Sequence, residues 1–133
     1  MASWELAVDV DAPPEAAWAL VGDLTSVPRW YPKYPRAEVD GDRRVLHSDD
    51  GREVQEVILE HDDGARRYSY SVIAGAPVRS HRAGFAVSAR GEGCRITWWT
   101  EAEPSDPQAD IQGRLTPTQT DALVRMKAII EGG

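Results

Sequence analysis

Four tight-turn signals divide the middle of the chain into segments that are too short for anything except β-strands. They are Asp40-Gly41, Asp50-Gly51, Asp63-Gly64 and Gly91-Glu92-Gly93, and such Asp-Gly and Gly-x-Gly sequences favour β-hairpin turns. The spacing of these turns predicts strands near residues 36–40, 43–48, 52–61, 65–74, 79–90 and 94–103. Strands joined by hairpins pair antiparallel. We therefore expect one antiparallel meander.

The two ends of the chain have different patterns. Residues 3–11 alternate between apolar and polar side chains and predict a strand. Helical spacing of apolar residues predicts a short helix over 13–23, and residues 25–31 predict a second short helix or turn. The sequence Thr116-Pro117-Thr118-Gln119 resembles a helix cap with proline at the first helical position, which predicts a helix over 117–131.

Together these elements predict an α+β fold of about seven strands. The sheet would curve around a long C-terminal helix that buries its apolar stripe, and two short helices would follow the first strand. The chain has 133 residues, enough for a single core. We therefore predict one domain spanning residues 1–133.

Composition argues against several classes of function. Fifteen Lys and Arg against 22 Asp and Glu give a net charge of −7, whereas nucleic-acid-binding proteins usually present a basic face. No apolar run approaches the roughly 20 residues of a membrane span. The N-terminus lacks the basic and apolar regions of a signal peptide. We expect a cytoplasmic protein with no nucleic-acid or membrane partner.

Metal and cofactor motifs are also missing from the sequence. Cys94 is the single cysteine, so the chain can form neither an internal disulfide nor a multi-thiolate metal site. The three histidines have no metal-ligand spacing, and there is no nucleophile elbow or phosphate-binding glycine loop. We expect no metal and no cofactor.

Several segments resemble the helix-grip superfamily, the Bet v 1-like and START-related proteins. The similarity begins in residues 11–18 and 23–31 and extends over nearly the whole chain. Within the superfamily, residues 23–39, Arg95-Ile96-Thr97-Trp98 and 115–131 most resemble bacterial aromatic-polyketide aromatase/cyclases. The resemblance implies a cavity between sheet and long helix in which a poly-β-ketone is folded, cyclised by aldol chemistry and dehydrated. An acyl carrier protein would deliver that chain.

The chain departs from those enzymes at three cavity positions. Where they usually carry an arginine this chain has Leu46, although Arg44 lies two residues earlier on the same strand face. Their mid-helix polar residue corresponds to Ala122, and their cavity glutamine corresponds to Thr100. The aromatic walls are therefore more similar than the polar groups.

Strand alternation predicts which side chains face the concave side of the sheet. The aromatic and apolar faces of the strands should be buried, and Trp30, Tyr31 and Tyr34 should lie at one mouth. Small residues at Ala83, Thr100 and Ala122 should leave space beside the large aromatic rings. The predicted substrate-binding residues are Trp30, Tyr31, Tyr68, Tyr70, Phe85, Trp98, Thr100, Ala122 and Met126.

Aldol cyclisation and dehydration need a base, an acid and a donor that stabilises the enolate. His81 is the predicted base, because histidine titrates near neutral pH and this one lies on the apolar strand face. Tyr34 is a candidate donor. Arg44 and Glu56 should lie on neighbouring strands with the same parity, where they either pair with each other or bind substrate oxygens.

Two other functions are compatible with the sequence. The protein could be a non-catalytic carrier or sensor of a hydrophobic or aromatic small molecule, which the loss of the cavity arginine at Leu46 favours. It could also be an interaction module that uses an exposed Trp99 and the Trp30-Tyr31 loop. The sequence alone does not choose among these functions.

Overall fold

The computed structural model describes residues 1–132. Its elements are β1 (Ala2–Val10), α1 (Pro14–Val21), α2 (Val27–Trp30), β2 (Arg36–Asp40), β3 (Arg43–His47), β4 (Glu53–Asp62), β5 (Arg67–Ala74), β6 (Val78–Arg90), β7 (Gly93–Pro104) and α3 (Ile111–Gly132). The strands lie within two residues of their predicted bounds, and the two short helices follow β1 as predicted. The predicted α+β helix-grip fold is confirmed.

One antiparallel sheet holds all seven strands in the order β1-β7-β6-β5-β4-β3-β2. The strands from β2 to β7 form the predicted meander, and β1 completes the sheet by pairing with β7. Alternating burial along β7, where Ile96, Trp98 and Thr100 are buried, shows that one face of the sheet is covered. That face is the concave one, over which α3 lies.

The hairpin turns follow the sequence signals with one exception. Gly41, Gly51 and Gly91 all have positive φ angles, which glycine adopts at little steric cost. In the β4–β5 hairpin Gly64 does not, and Arg66 takes the left-handed conformation with φ of 54°. The β5–β6 hairpin, which none of the four signals marks, has its positive φ at Gly75.

Helix α3 begins at Ile111, six residues before the predicted start. The side chain of Asp110 accepts a hydrogen bond from the Gly113 amide at 2.9 Å, which is the usual interaction of a helix N-cap. Pro117 lies inside the helix, so the predicted cap at Thr116–Gln119 is wrong. The reason is that proline, although favoured at a first turn, is tolerated here one and a half turns further on.

The two short helices cover different parts of the concave face. Helix α1 packs on β6, β7 and α3 and buries Ala17, Trp18, Leu20 and Val21. Helix α2 contributes buried Val27 and Trp30 and packs against β2 and α3. The serine hydroxyl of Ser26 accepts from Trp30 Nε1 at 3.0 Å and donates to the Leu20 carbonyl, which fixes α2 to the end of α1.

No helix among residues 1–132 combines the length and the apolar character needed to cross a membrane.

Candidate functional site

A cavity of about 340 Å³ lies between the concave face of the sheet and the first half of α3. This volume is within the range of small-molecule binding sites. Nine of the thirteen predicted site residues line it: Trp30, Tyr31, Tyr34, Arg44, Glu56, Tyr70, His81, Phe85 and Trp98. The chain thus brings aromatic rings, one ion pair and one imidazole to a single space.

Four of the predicted substrate-binding residues are buried but do not line the cavity. They are Tyr68, Thr100, Ala122 and Met126. Tyr68 lies among the aromatic rings of the core and contacts Arg44, while Ala122 and Met126 lie in the second half of α3 and are completely buried in the core. The cavity is under residues 111–119 of α3, because the helix begins earlier than predicted.

Aromatic rings form the dry part of the cavity wall. Phe85 and Trp98 pack with ring centroids 4.6 Å apart. Trp30 contacts both rings edge-on, at 5.5 Å and 5.9 Å. Such edge-to-face contacts are favourable, so the three rings form a continuous apolar wall of the cavity.

Arg44 and Glu56 form a buried ion pair at the charged end of the cavity. They are register partners on β3 and β4, and Arg44 Nε donates to Glu56 Oε1 at 2.7 Å. Arg44 is 2% and Glu56 4% exposed. Arg44 Nη1 also donates to the Leu24 carbonyl at 3.2 Å and to the Tyr68 hydroxyl at 3.4 Å. The pair therefore ties the segment before α2 to the sheet.

Burial and pairing act in opposite directions on the two charges. Burial raises the pKa of Glu56 above its ordinary value, and the Arg44 guanidinium partly opposes that rise. Burial alone would lower the pKa of Arg44, but Tyr68 and Glu56 together outweigh it and raise that pKa, so Arg44 stays charged. Among residues 1–132, neither Arg44 Nη2 nor Glu56 Oε2 has a hydrogen-bond partner. One donor and one acceptor thus remain available.

The cavity phenols are kept protonated by burial. Burial raises the pKa of Tyr34 and that of Tyr70, in the latter case well above the ordinary value. The Tyr70 hydroxyl accepts from Trp98 Nε1 at 3.2 Å, which leaves its own proton free to be donated. The Tyr31 hydroxyl is 3.1 Å from Thr118 Oγ1 on α3. The tyrosines are consequently donors rather than bases.

His81 lies where the ladder between β5 and β6 ends. The last register pair is Tyr70 with Ala83, and beyond it the Val72 amide donates to His81 Nδ1 at 3.1 Å. Because an amide N–H can only donate, Nδ1 is unprotonated and the ring proton lies on Nε2. Burial lowers the pKa of His81 to about 4. The imidazole is therefore a neutral structural acceptor with little basicity.

Sequence reasoning missed Gln119, which lines the cavity at the end opposite Arg44. It is 4% exposed and forms hydrogen bonds with Trp4 on β1 and Thr100 on β7. The predicted helix began at residue 117, and Gln119 was interpreted as its capping-box residue. It was therefore not considered as a cavity residue. The Asp110 cap was the signal that could have shown Gln119 to be interior.

The chain matches a family model over residues 1–131, described as polyketide cyclase / dehydrase and lipid transport. The chain belongs to this family. The predicted resemblance to helix-grip proteins and to polyketide cyclases is thereby confirmed at the level of family and fold. Comparison with curated proteins found no match.

Solved structures agree with the family assignment. XoxI of Bacillus cereus is 23% identical, with 98% of this chain and 96% of that chain covered and a TM-score of 0.89. A Thermobifida fusca protein is 26% identical, with 98% and 96% covered and a TM-score of 0.78. The two-domain aromatase/cyclase BexL of the BE-7585A pathway is 20% identical, with 98% of this chain and 47% of that chain covered and a TM-score of 0.82. Identities this low show the shared fold.

The alternative of an exposed aromatic interaction module is not supported by the structure. Trp30 is 2% exposed because it packs inside the cavity wall. Trp99 lies half-buried across Gly84 on the outer face, where a Cβ at residue 84 would come within 2.7 Å of the indole nitrogen. Neither tryptophan is a freely exposed ring. The small-molecule functions therefore remain.

Proposed function

We propose that this protein is a polyketide cyclase or dehydratase that binds a neutral poly-β-ketone or polyphenolic precursor and promotes its aldol cyclisation and dehydration. The observation that carries the proposal is the buried Arg44–Glu56 pair in the cavity wall. In this pair, the N–H groups of Arg44 Nη2 and the carboxylate oxygen Oε2 of Glu56 are still available for hydrogen bonds to a ligand. Keto–enol chemistry uses such a donor and acceptor together.

Glu56 is the proposed proton-transfer group in place of His81. Its carboxylate removes a proton from the carbon between two ketones, and the resulting enolate oxygen accepts from Arg44 Nη2. The enolate carbon bonds to a second ketone carbon of the chain, and the new alkoxide takes the proton back from Glu56. In the dehydration, Glu56 removes another such proton and returns it to the departing hydroxyl, which leaves as water.

Burial supports this assignment of the base. A carboxyl whose pKa is raised is a stronger base when ionised, and a larger fraction of it is protonated and able to act as the acid near neutral pH. The pKa of Glu56 is shifted in this direction. His81 has a lowered pKa and its Nδ1 lone pair is engaged by the Val72 amide. Tyr34 and Tyr70 would donate to further ketone oxygens along the bound chain.

An acyl carrier protein is the proposed partner that delivers the chain. Lys33 and Arg114 are exposed residues at the rim of the cavity, with Asp106 nearby on the same rim. Two cations at the mouth would favour the anionic phosphate of a carrier's phosphopantetheine arm. The protein as a whole is acidic, with a net charge of −7. This basic rim is therefore the surface that we propose for the contact with the carrier protein.

A non-catalytic carrier or sensor is the second candidate function. It is favoured by one specific observation, which is that Arg44 and Glu56 neutralise each other. A site whose charges are already paired could hold a neutral aromatic molecule without transforming it. The two functions predict different outcomes for a conservative change at Glu56.

The deciding experiment is product analysis of a minimal aromatic polyketide synthase with and without this protein. The proposed enzyme changes the pattern of ring products, and Glu56→Gln abolishes that change while retaining the hydrogen bond from Arg44. His81→Asn, which can still accept from the Val72 amide, is the matched control and retains the change. If the wild-type protein binds the products but never alters their pattern, the carrier function replaces the cyclase.

A further inference from the structure

Gln119 has unused hydrogen-bonding capacity inside the cavity. Its Oε1 accepts from Trp4 Nε1 at 2.9 Å, and its Nε2 donates to Thr100 Oγ1 at 3.2 Å. A glutamine amide carries two N–H donors. Within residues 1–132 the second N–H of Gln119 has no protein acceptor.

The orientation of this amide is set by its neighbours. The Trp4 indole N–H can only donate, so the atom facing it must be the Gln119 oxygen and the nitrogen must face Thr100. Trp4 and Thr100 are themselves buried. The remaining N–H is therefore presented by a group that cannot flip without losing both hydrogen bonds.

The surroundings of Gln119 contrast with those of the ion pair. Its hydrogen-bond partners Trp4 and Thr100 are uncharged, and so are Leu115 and Ile111, the cavity residues one and two turns before it on α3. Arg114 on the same helix is an exposed residue of the rim. Thr100 is on β7 and Arg44 on β3, four strand positions apart. Strands spaced by about 4.8 Å put the two strands about 19 Å apart across the sheet. The side chains of Gln119 and Arg44 both reach into the one cavity of about 340 Å³, a volume that suits a small aromatic molecule.

We infer that Gln119 is a positioning residue that donates to a carbonyl oxygen at one end of the ligand while Arg44 and Glu56 bind its other end. This rests on the proposed function, since it concerns the same ligand. The site would take an elongated, neutral molecule with a ketone at the Gln119 end and a hydroxyl or enol at the ion pair. A single fixed donor would set which way round the molecule enters.

Two fluorescent probes that differ only in the ketone test the inference. 6-Acetyl-2-naphthol has a hydroxyl at one end and a ketone at the other, and 6-ethyl-2-naphthol lacks the ketone oxygen. The wild-type protein should bind the acetyl compound about tenfold more tightly, as expected for one buried hydrogen bond. In Gln119→Met that preference should fall to about onefold, with binding of the ethyl compound unchanged.

Two further variants separate recognition from stability. Gln119→Glu with its carboxylate ionised can still accept from Trp4 and from the Thr100 hydroxyl but has no hydrogen to donate, so it should also lose the preference. Gln112→Met makes the same substitution at an exposed position of α3 that does not line the cavity, and it should keep the preference. The ratio of the two affinities is the readout, because a purely structural role of Gln119 would leave it unchanged.

The outcomes distinguish the two proposals. A preference that persists in both Gln119→Met and Gln119→Glu overturns the positioning role and leaves the proposed function intact. Equal affinity of the wild-type protein for the two probes does the same. If the wild-type protein binds neither probe, the proposed class of neutral oxygenated aromatic ligand is wrong, and the inference is overturned with it.

Discussion

Helices α1 and α2 lie over the same concave sheet with opposite results. Under α1 and the second half of α3 the space is solid, and Ala17, Val21, Ile96 and Met126 are completely buried. Under α2 and the first half of α3 the space is hollow and holds the cavity. The difference follows from what each helix contributes: α1 inserts four buried side chains, whereas α2 is one turn long and contributes two.

The part of the fold under α2 and the first half of α3, here called the hollow half, is stabilised by buried polar side chains where the solid half under α1 has apolar packing. Arg44 is bonded to Glu56, to Tyr68 and to the Leu24 carbonyl, so it links three segments around the space. Gln119 links α3 to β1 and β7 on the other side. The solid half is stabilised by apolar burial, and the hollow half by directional hydrogen bonds that maintain a cavity. The stability and binding roles of the fold are thus spatially separate.

The largest expected effect is at the anchor of the hollow half. Arg44→Met leaves Glu56 buried without its cation, and we expect a loss of about 3–5 kcal/mol in the free energy of unfolding. Denaturant titration measures it. Glu56 loses its cation and its pKa rises further, so the destabilisation should be smaller at pH 5 than at pH 8.

The double variant Arg44→Met with Glu56→Leu is the control for this change. It removes both charges and should recover most of the lost stability, because no unpaired charge remains buried. A double variant as unstable as the single one would show that the hollow half depends on the shape of Arg44 and not on the pairing of charge.

A matched pair of truncations on α3 compares the two halves directly. Met126→Ala in the solid half creates a new void, for which we expect a loss of about 2–5 kcal/mol. Leu115→Ala borders a space that is already empty, and it should cost only about 1 kcal/mol. Thermal or denaturant unfolding of both variants gives the comparison. Equal losses would contradict the division of the helix into a packed half and a cavity half.

The sequence predicted the sheet side of the cavity better than the helix side. Strand parity correctly put Arg44 and Glu56 on one face as neighbours, because side chains alternate along a strand whatever lies above it. The position of the cavity depends on where α3 begins, and the proline at 117 pointed to the wrong turn. Empty space has no local sequence signal. Gln119 was therefore missed, and Ala122 and Met126 were placed at a cavity that lies one to two turns away.

The role of His81 also lay beyond sequence reasoning, for a physical reason. Its residue type and strand face predicted a base, and both observations hold. What the sequence does not contain is the end of the β5–β6 ladder at Tyr70 and Ala83, which leaves the Val72 amide without a backbone acceptor. His81 Nδ1 accepts this hydrogen bond in place of a backbone carbonyl. Glu56 is therefore the proposed base.

The smallest expected effect concerns this same edge of the hollow half. His81 is neutral in the folded protein, with a pKa lowered from 6.5 to about 4. Its contribution to stability is therefore fully present above pH 6.5 and is lost as the pH falls toward 4, because the unfolded chain binds a proton that the folded one does not. Between pH 7.5 and 5 this histidine should account for a loss of about 1–2 kcal/mol in the free energy of unfolding.

In His81→Asn, whose side-chain oxygen can still accept from the Val72 amide, that part of the pH dependence should vanish while stability at pH 7.5 changes little. Denaturant titrations of both proteins at the two pH values measure the difference. An unchanged pH dependence in His81→Asn would mean that the imidazole is solvated and free to titrate. That result would return His81 to consideration as the base.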